Sequence, residues 1–282
     1  MTTRRLLGAV GLDRSVLLKL RQIVASYDSV LVAFSGGVDS TVVMKVAYDI
    51  LGRDRALAVT ARSESLPVRE AGWIDEMVHQ HGFRHEWVET RELDNANYAR
   101  NPHNRCYYCK TELYDHLFPL AEQWGLKIIA NGVNTDDLGD WRPGIAAGRE
   151  RNVRSPLCEA GINKARVRAI AKDLGLPNWD KPAAPCLSSR VPYGESVTAE
   201  KLRMIDEAEH AIKAEGFHIV RVRHGGTIAR VEVGGAELGR LMNDADLRER
   251  ISVTLRKLGF AAVEMDSEGY RQGRLNEAVN TL

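Results

Sequence analysis

The stretch "VLVAFSGGVDSTVVMKVA", residues 30–47, decides how the chain is read. An apolar run of β-formers ends in Ser35-Gly36-Gly37-Val38-Asp39-Ser40-Thr41 and passes directly into a helical pattern. A glycine-rich turn between a strand and a helix aims backbone N–H groups and the positive end of the helix at an anion, which is how chains hold phosphate. Ser35, Ser40 and Thr41 add hydroxyl donors. No Gly-Lys-Ser/Thr follows, so the turn is not the Walker form, and it is not GxGxxG. A bare pair of glycines equally suits a plain strand-to-helix corner with a serine cap. The whole string after an apolar strand is far more specific.

Outward from this turn, strand-like runs "SVLVAF", "RALAVT", "FRHEWVE" and "KIIANG" alternate with helix patterns near 40–51, 67–81 and 111–124. That alternation predicts an α/β fold, a parallel sheet with helices on both faces. Asn163 is placed to cap a helix over 163–174 that "LGLP" ends. "PNWDKPAAPCLSSRVPYG" reads as an ordered loop or linker. Beyond it a helix over 198–215, the runs "HIVRVRH" and "IARVEV", a helical pair near 236–258 and the strand "AAVEMD" predict a small α+β domain. The expected division is residues 1–190 and 191–282.

The chain has 282 residues, 39 Lys and Arg against 38 Asp and Glu, and a net charge of +1. Flat charge argues against a general nucleic-acid binder, and no apolar run approaches the roughly 20 residues of a membrane span. With no signal-peptide pattern at the start, a cytoplasmic enzyme is expected. Four cysteines are too few for a disulfide framework, so metal or redox use is the better expectation for those that cluster. Cys106 and Cys109 form a CxxC just ahead of the helix predicted from 111, where the helix dipole favours thiolates and two sulfurs can meet one metal. Cys186 stands in the proline-rich loop, and Cys158 in "SPLCEAG" suits ordinary packing.

"SGGVDST" resembles the PP-loop of ATP pyrophosphatases, the adenine nucleotide alpha hydrolase-like enzymes that cleave ATP between its α and β phosphates and give AMP to an acceptor. The resemblance implies that Ser35, Gly36, Gly37, Asp39, Ser40 and Thr41 hold pyrophosphate, with Asp39 helping to bind Mg²⁺. In "NGVNTDDLGDWRPG", Asp136 and Asp137 follow a strand's C-terminal end, the edge where open parallel sheets bind ligands and where paired acids suit a hard cation. A solvated acidic turn is the alternative. Ser63 and Arg142 are further nucleotide candidates.

Together with "NRCYYCK", "PCLSSRVPYG" and "EGYRQGRLN", these segments make nearly the whole chain resemble the LarE family of ATP-dependent sulfur transferases, which act in nickel-pincer nucleotide synthesis. The resemblance implies a small nucleotide substrate, pyridinium-3,5-biscarboxylic acid mononucleotide, whose carboxylates are adenylated and converted to thiocarboxylates. One form of the family sacrifices the sulfur of a cysteine at the Cys186 position. The presence of Cys106, Cys109 and Cys186 matches the other form, which holds a 4Fe-4S cluster by three thiolates and leaves one iron open for an extra sulfide. A zinc site with Cys158 as fourth ligand is the alternative. The resemblance also gives Arg190, Arg221 and Arg223 as candidates for holding the substrate's phosphate or carboxylate, and it implies a homo-oligomer and a sulfide donor as partners. Glu209 and Glu232 read equally as bases or surface charges, and Tyr270, Arg271 and Arg274 belong to a tail of unassigned role. Rival readings are tRNA thiolation or amide synthesis on the same loop, and a zinc-stabilised nucleotide-binding module without turnover.

Overall fold

The runs read as strands form strands. In the computed structural model, which describes residues 14–139, 142–271 and 274, the first half contains α1 (Arg14–Ala25), β1 (Val30–Ala33), α2 (Val38–Leu51), β2 (Ala56–Arg62), α3 (Val68–His81), β3 (His85–Glu89), a single turn α4 (Ala96–Ala99), α5 (Arg105–Gln123) and β4 (Ile128–Ala130). There follow α6 (Pro143–Glu150), α7 (Pro156–Ala160), α8 (Lys164–Asp173), α9 (Ala199–Ala214), β5 (Val220–Gly225), β6 (Ile228–Val233), α10 (Gly235–Asn243), α11 (Ala245–Lys257) and β7 (Ala262–Met265). Among the described residues no helix is long and apolar enough to cross a membrane.

The chain divides into two compact units. The first takes the residues up to 61 with 73–88 and 113–183, and the second takes 62–72, 89–112 and the chain from 184 onward.

In the first unit the sheet order is β3-β2-β1-β4. β1 runs parallel to both neighbours, Val30 opposite Ala56 on one side and Ile128 on the other. A central parallel strand is covered on both faces, which is why Val30, Leu31 and Val32 are all buried and form an unbroken apolar run. Val42, Met44 and Val46 of α2 share one core with Leu20 of α1 and with Val167 and Ile170 of α8. From β1 the chain steps outward to β2 and β3, then returns to the other side of β1 as β4. The connections leaving β1 and β4 therefore part above adjacent strand ends, and a crevice opens between them.

The second unit carries a mixed sheet, β5-β6-β7, with β5 and β6 antiparallel and β6 and β7 parallel. Its core joins Ile212 of α9, Val222, Val231, Leu247, Ile251, Leu255 and Phe260. Thr198 caps α9 by accepting from the Lys201 N–H, as Asn163 caps α8 by accepting from that of Arg166. A separate apolar cluster packs Tyr98, Leu187, Val191, Leu202 and Ile205 together, with Cys109 against it.

One expectation needs correcting. The CxxC does not precede its helix: α5 begins at Arg105, so Cys106 and Cys109 lie in its first two turns. Asn101 in a left-handed conformation and the bonds from Arg105 N to Pro102 O and from Tyr107 N to Asn104 O start the helix early. Cysteine and tyrosine are indifferent helix formers, so the segment gives little helical signal of its own.

Candidate functional site

At the end of β1 the turn is built to present donors. Gly36 has φ +66°, and a Cβ there would fall 2.5 Å from Ile74 Cγ1, so only glycine fits. Gly37 stands at the N-cap of α2 with no side-chain cap, which leaves the first-turn N–H groups of that helix facing outward. The hydroxyls hold the loop's shape. Ser40 Oγ donates to Gly37 O (3.1 Å), lies 3.1 Å from Ser35 Oγ and accepts from Ser35 N, and Thr41 Oγ1 donates to Gly37 O (2.9 Å).

The loop after β4 closes against this turn. A Cβ on Gly132 would lie 2.7 Å from Ser40 N and 3.0 Å from Asp39 C, so backbone meets backbone there. A Gly132→Ala substitution is expected to push the two loops apart at about 1–3 kcal/mol, read as a lower melting temperature together with weaker ATP binding in calorimetric titration. Unchanged ATP affinity would show that this approach does not shape the nucleotide site.

Asn134 ties the acids together. Its Nδ2 donates to Asp39 Oδ1 (3.1 Å), its Oδ1 accepts from Asp136 N (3.0 Å) and its own N–H donates to Asp137 Oδ2 (3.0 Å). Arg142 pairs with Asp137 at 2.6 Å. Asp136 Oδ2 accepts from Lys164 N (3.0 Å) at the start of α8, and the Lys164 ammonium reaches Asp39 Oδ2. Ser35 to Thr41, Asp136, Asp137 and Arg142 thus share one crevice with Asn134 and Lys164, two residues the sequence did not single out. Asn178 is a third: wholly buried, it donates to Gly36 O (3.1 Å) and Thr41 Oγ1 (2.9 Å), bracing the turn from behind. Only the motif-like "GVNTDD" and the helix start at Asn163 hinted at these contacts. Cys158 belongs to this unit, where its thiol donates to Val133 O (3.2 Å) and is pushed up by burial and then by Asp137. Ser63 lies in the second unit, its Oγ 2.9 Å from that of Ser65.

Cys106, Cys109 and Cys186 all belong to the second unit. Cys186 precedes a short 3-10 turn, Leu187–Arg190, within the proline-rich loop. Cys106 is an exposed residue, but desolvation around its sulfur raises the thiol, with Cys186 next among the causes, while Arg105 opposes the shift. Burial likewise drives the Cys109 thiol far above its ordinary range, and it points at the buried carboxylate of Glu92 (Sγ to Oε1 3.6 Å). Arg105 is 2% exposed and interacts electrostatically with both Cys106 and Cys186. Among the described residues no group of three or more His, Cys, Asp or Glu is arranged as a cage for a single ion.

The arginines divide. Arg190, 2% exposed, spends its fork on Glu209 (2.8 and 3.0 Å) and its remaining donors on the chain around Cys186. Glu209 also accepts from Val222 N, so it is a buried structural partner. Arg223 pairs with Glu232 across β5 and β6 (3.1 and 2.9 Å), and Arg274 reaches Asp266 at 2.7 Å. Arg271 pairs with Glu268, and the tail beyond Arg274 lies outside the described residues. Arg221 stacks 5.0 Å over Tyr270 and walls a small cavity with Arg69, His210, Lys213, Glu70 and Asp206. Burial, and then Arg190, hold its guanidinium below the usual value, and burial does the same to the Lys213 ammonium.

A sequence model of the NAD synthase family matches residues 14–100, the segment that carries the phosphate-binding turn. The chain is 48% identical over 265 residues to the uncharacterized protein slr1717 of Synechocystis sp., covering 94% of this chain and 98% of that protein. It is 37% identical over 250 residues to the pyridinium-3,5-bisthiocarboxylic acid mononucleotide synthase of Lactiplantibacillus plantarum, covering 89% and 90%. A tRNA-specific 2-thiouridylase, MnmA of Azorhizobium caulinodans, is 30% identical over 62% of this chain and 54% of its own length. With the open-ended phosphate turn in its crevice and near-complete coverage of a relative at 37% identity, the chain belongs to the LarE family of PP-loop enzymes, ATP-using sulfur transferases.

Proposed function

We propose that the chain adenylates a carboxylate of pyridinium-3,5-biscarboxylic acid mononucleotide and replaces one of its oxygens with sulfur supplied at Cys106, Cys109 and Cys186. The substrate is the dicarboxylate counterpart of the bisthiocarboxylic acid mononucleotide for which the Lactiplantibacillus plantarum relative is named. What carries the sulfur route is the grouping of three thiols in one unit, two of them, Cys106 and Cys186, beside the buried Arg105.

In the first step a substrate carboxylate oxygen attacks the α-phosphorus of ATP, and pyrophosphate leaves with the electrons of the broken P–O bond. The uncapped N–H groups of α2 receive the charge that develops on pyrophosphate, in a turn whose shape the Ser40 and Thr41 hydroxyls hold. Asp39 would hold the magnesium that accompanies ATP, and the Lys164 ammonium now paired with it would then be available to a phosphate oxygen. In the second step a sulfur nucleophile adds to the activated carbonyl carbon, and the bond to AMP breaks. A carboxylate is a poor acyl donor, so adenylation supplies the leaving group.

Cys106, Cys109 and Cys186, all in the second unit, are the donors an iron-sulfur cluster would take, with Cys186 partly exposed. Bound by these three thiolates, such a cluster would supply an iron site for an additional sulfide. Arg221, beside Lys213 and Arg69 in the wall of the small cavity, is proposed to meet the substrate's phosphate. Iron and acid-labile sulfide analysis of protein prepared without oxygen tests the assignment. About four irons and at least as many sulfides per chain are expected, lost in Cys106→Ala. Stoichiometric zinc without sulfide would overturn the sulfur route and leave the adenylating crevice standing.

A further inference from the structure

The turn that bears Cys186 is held in an unusual way. Loops at a surface normally leave their carbonyls to water. Here three guanidinium groups take the carbonyls around the thiol. Arg190 Nη1 donates to Pro185 O (2.8 Å), to Cys186 O (3.0 Å) and to Ser189 Oγ (2.8 Å). Arg105 Nη1 donates to Ser188 O (3.0 Å), and Arg223 Nη1 to Ser189 O (2.8 Å). Each guanidinium is itself anchored: Arg190 on Glu209, Arg223 on Glu232 and Arg105 on Asn101 Oδ1. Tyr98 Oη and Ser188 Oγ are 2.6 Å apart, and Leu187 N donates to Ser65 O (2.8 Å).

Arg105 adds a link that packing alone does not require. It is the residue before Cys106 at the start of α5, and its side chain donates to Ser188 O in the Cys186 turn. One guanidinium therefore joins the helix of one cysteine to the turn of another. Burying several charges in so small a region carries a desolvation penalty, offset by the paired carboxylates and the fixed carbonyls. The charges are concentrated around the Cys186 turn.

We propose that Arg105, Arg190 and Arg223 are positioning residues that preset Cys186 against Cys106, so that the sulfur site is formed before anything binds it. This rests on the assignment of Cys186 as a sulfur-site residue, and it gives Arg190 and Arg223 a role other than holding substrate. Residues one step behind a metal's ligands fix ligand geometry, and their loss weakens metal binding.

The test uses the full chain in its reduced, iron-free form, with 1,3-dibromoacetone as a short thiol-bridging reagent and peptide mapping to count Cys106-to-Cys186 bridges. Arg105→Lys and Arg223→Lys keep the charge and lose the fork. Both are expected to lower bridging about tenfold through misplacement of the thiol and iron affinity by about 10- to 100-fold. The KM for ATP stays at the wild-type value while kcat for sulfur transfer falls. Should Arg105→Lys not fold, Arg223→Lys and Glu232→Gln, which loosens the Arg223 anchor, carry the same measurement. Variants that melt as wild type does and bridge and bind iron equally well would overturn the proposal. A wild type that takes up no iron, with bridging still lost in the variants, would remove the cluster and leave the positioning role in place.

Discussion

A Cys186→Ala variant is expected to lose thiocarboxylate formation by at least about 10³-fold, the scale on which removing a nucleophilic or ligating group disables a concerted site. It is expected to exchange pyrophosphate into ATP at the wild-type rate when the dicarboxylate substrate is present. The reason lies in how the residues are divided. Every group assigned to adenylation, from Ser35 to Thr41 with Asp136, Asp137, Arg142 and Lys164, belongs to the first unit, and Cys186 belongs to the second. The Arg190 and Arg223 bonds to the turn go to backbone oxygens and the Ser189 hydroxyl, which the substitution leaves in place. Loss of exchange along with sulfur transfer would mean that Cys186 takes part in activating the carboxylate.

Lys164→Met gives the reverse pattern. The ammonium stands on the Asp39 carboxylate beside the uncapped start of α2. Removing a preorganised cation from the place where phosphate charge develops costs about 10² to 10³ in rate, so pyrophosphate exchange is expected to fall by that factor. Methionine keeps most of the side chain's bulk, and the backbone N–H of residue 164 still donates to Asp136 Oδ2, so the fold should be retained. Iron and sulfide content is expected to match wild type. Normal exchange in this variant would return Lys164 to a purely structural pairing.

The legible parts of the protein were local ones. A strand, two glycines and a helix in sequence declare a phosphate turn because the backbone conformation they allow is set within a few residues, as Gly36 at φ +66° shows. Asn163 declares the start of α8 for the same reason. What stayed hidden depends on chain brought together from far away. Lys164 meets Asp39 across 125 positions, and Asn178 braces Gly36 across 142. Nothing in the local pattern around either residue reports the partner.

The arginines show the same limit from the other side. Arg221 and Arg223 alternate on β5 and so share a face, which the sequence gives directly. Whether such a group is open to substrate depends on its neighbours across the sheet and on α9. Glu232 on β6 and Glu209 on α9 answer that for Arg223 and Arg190, whose forks are already occupied. A buried ion pair is indistinguishable from two surface charges until the register is known. The CxxC helix was likewise read too short because its first turn, Arg-Cys-Tyr-Tyr, is held by turn bonds that propensity does not record.

The most direct measurement follows the sulfur atom. Protein prepared without oxygen and supplied with sulfide is incubated with ATP and pyridinium-3,5-biscarboxylic acid mononucleotide, and both the small molecules and the intact chain are examined by mass spectrometry. The account predicts AMP, pyrophosphate and thiocarboxylate product in excess of the protein, with Cys186 still a cysteine. Product limited to the amount of protein, with residue 186 converted to dehydroalanine, would contradict it.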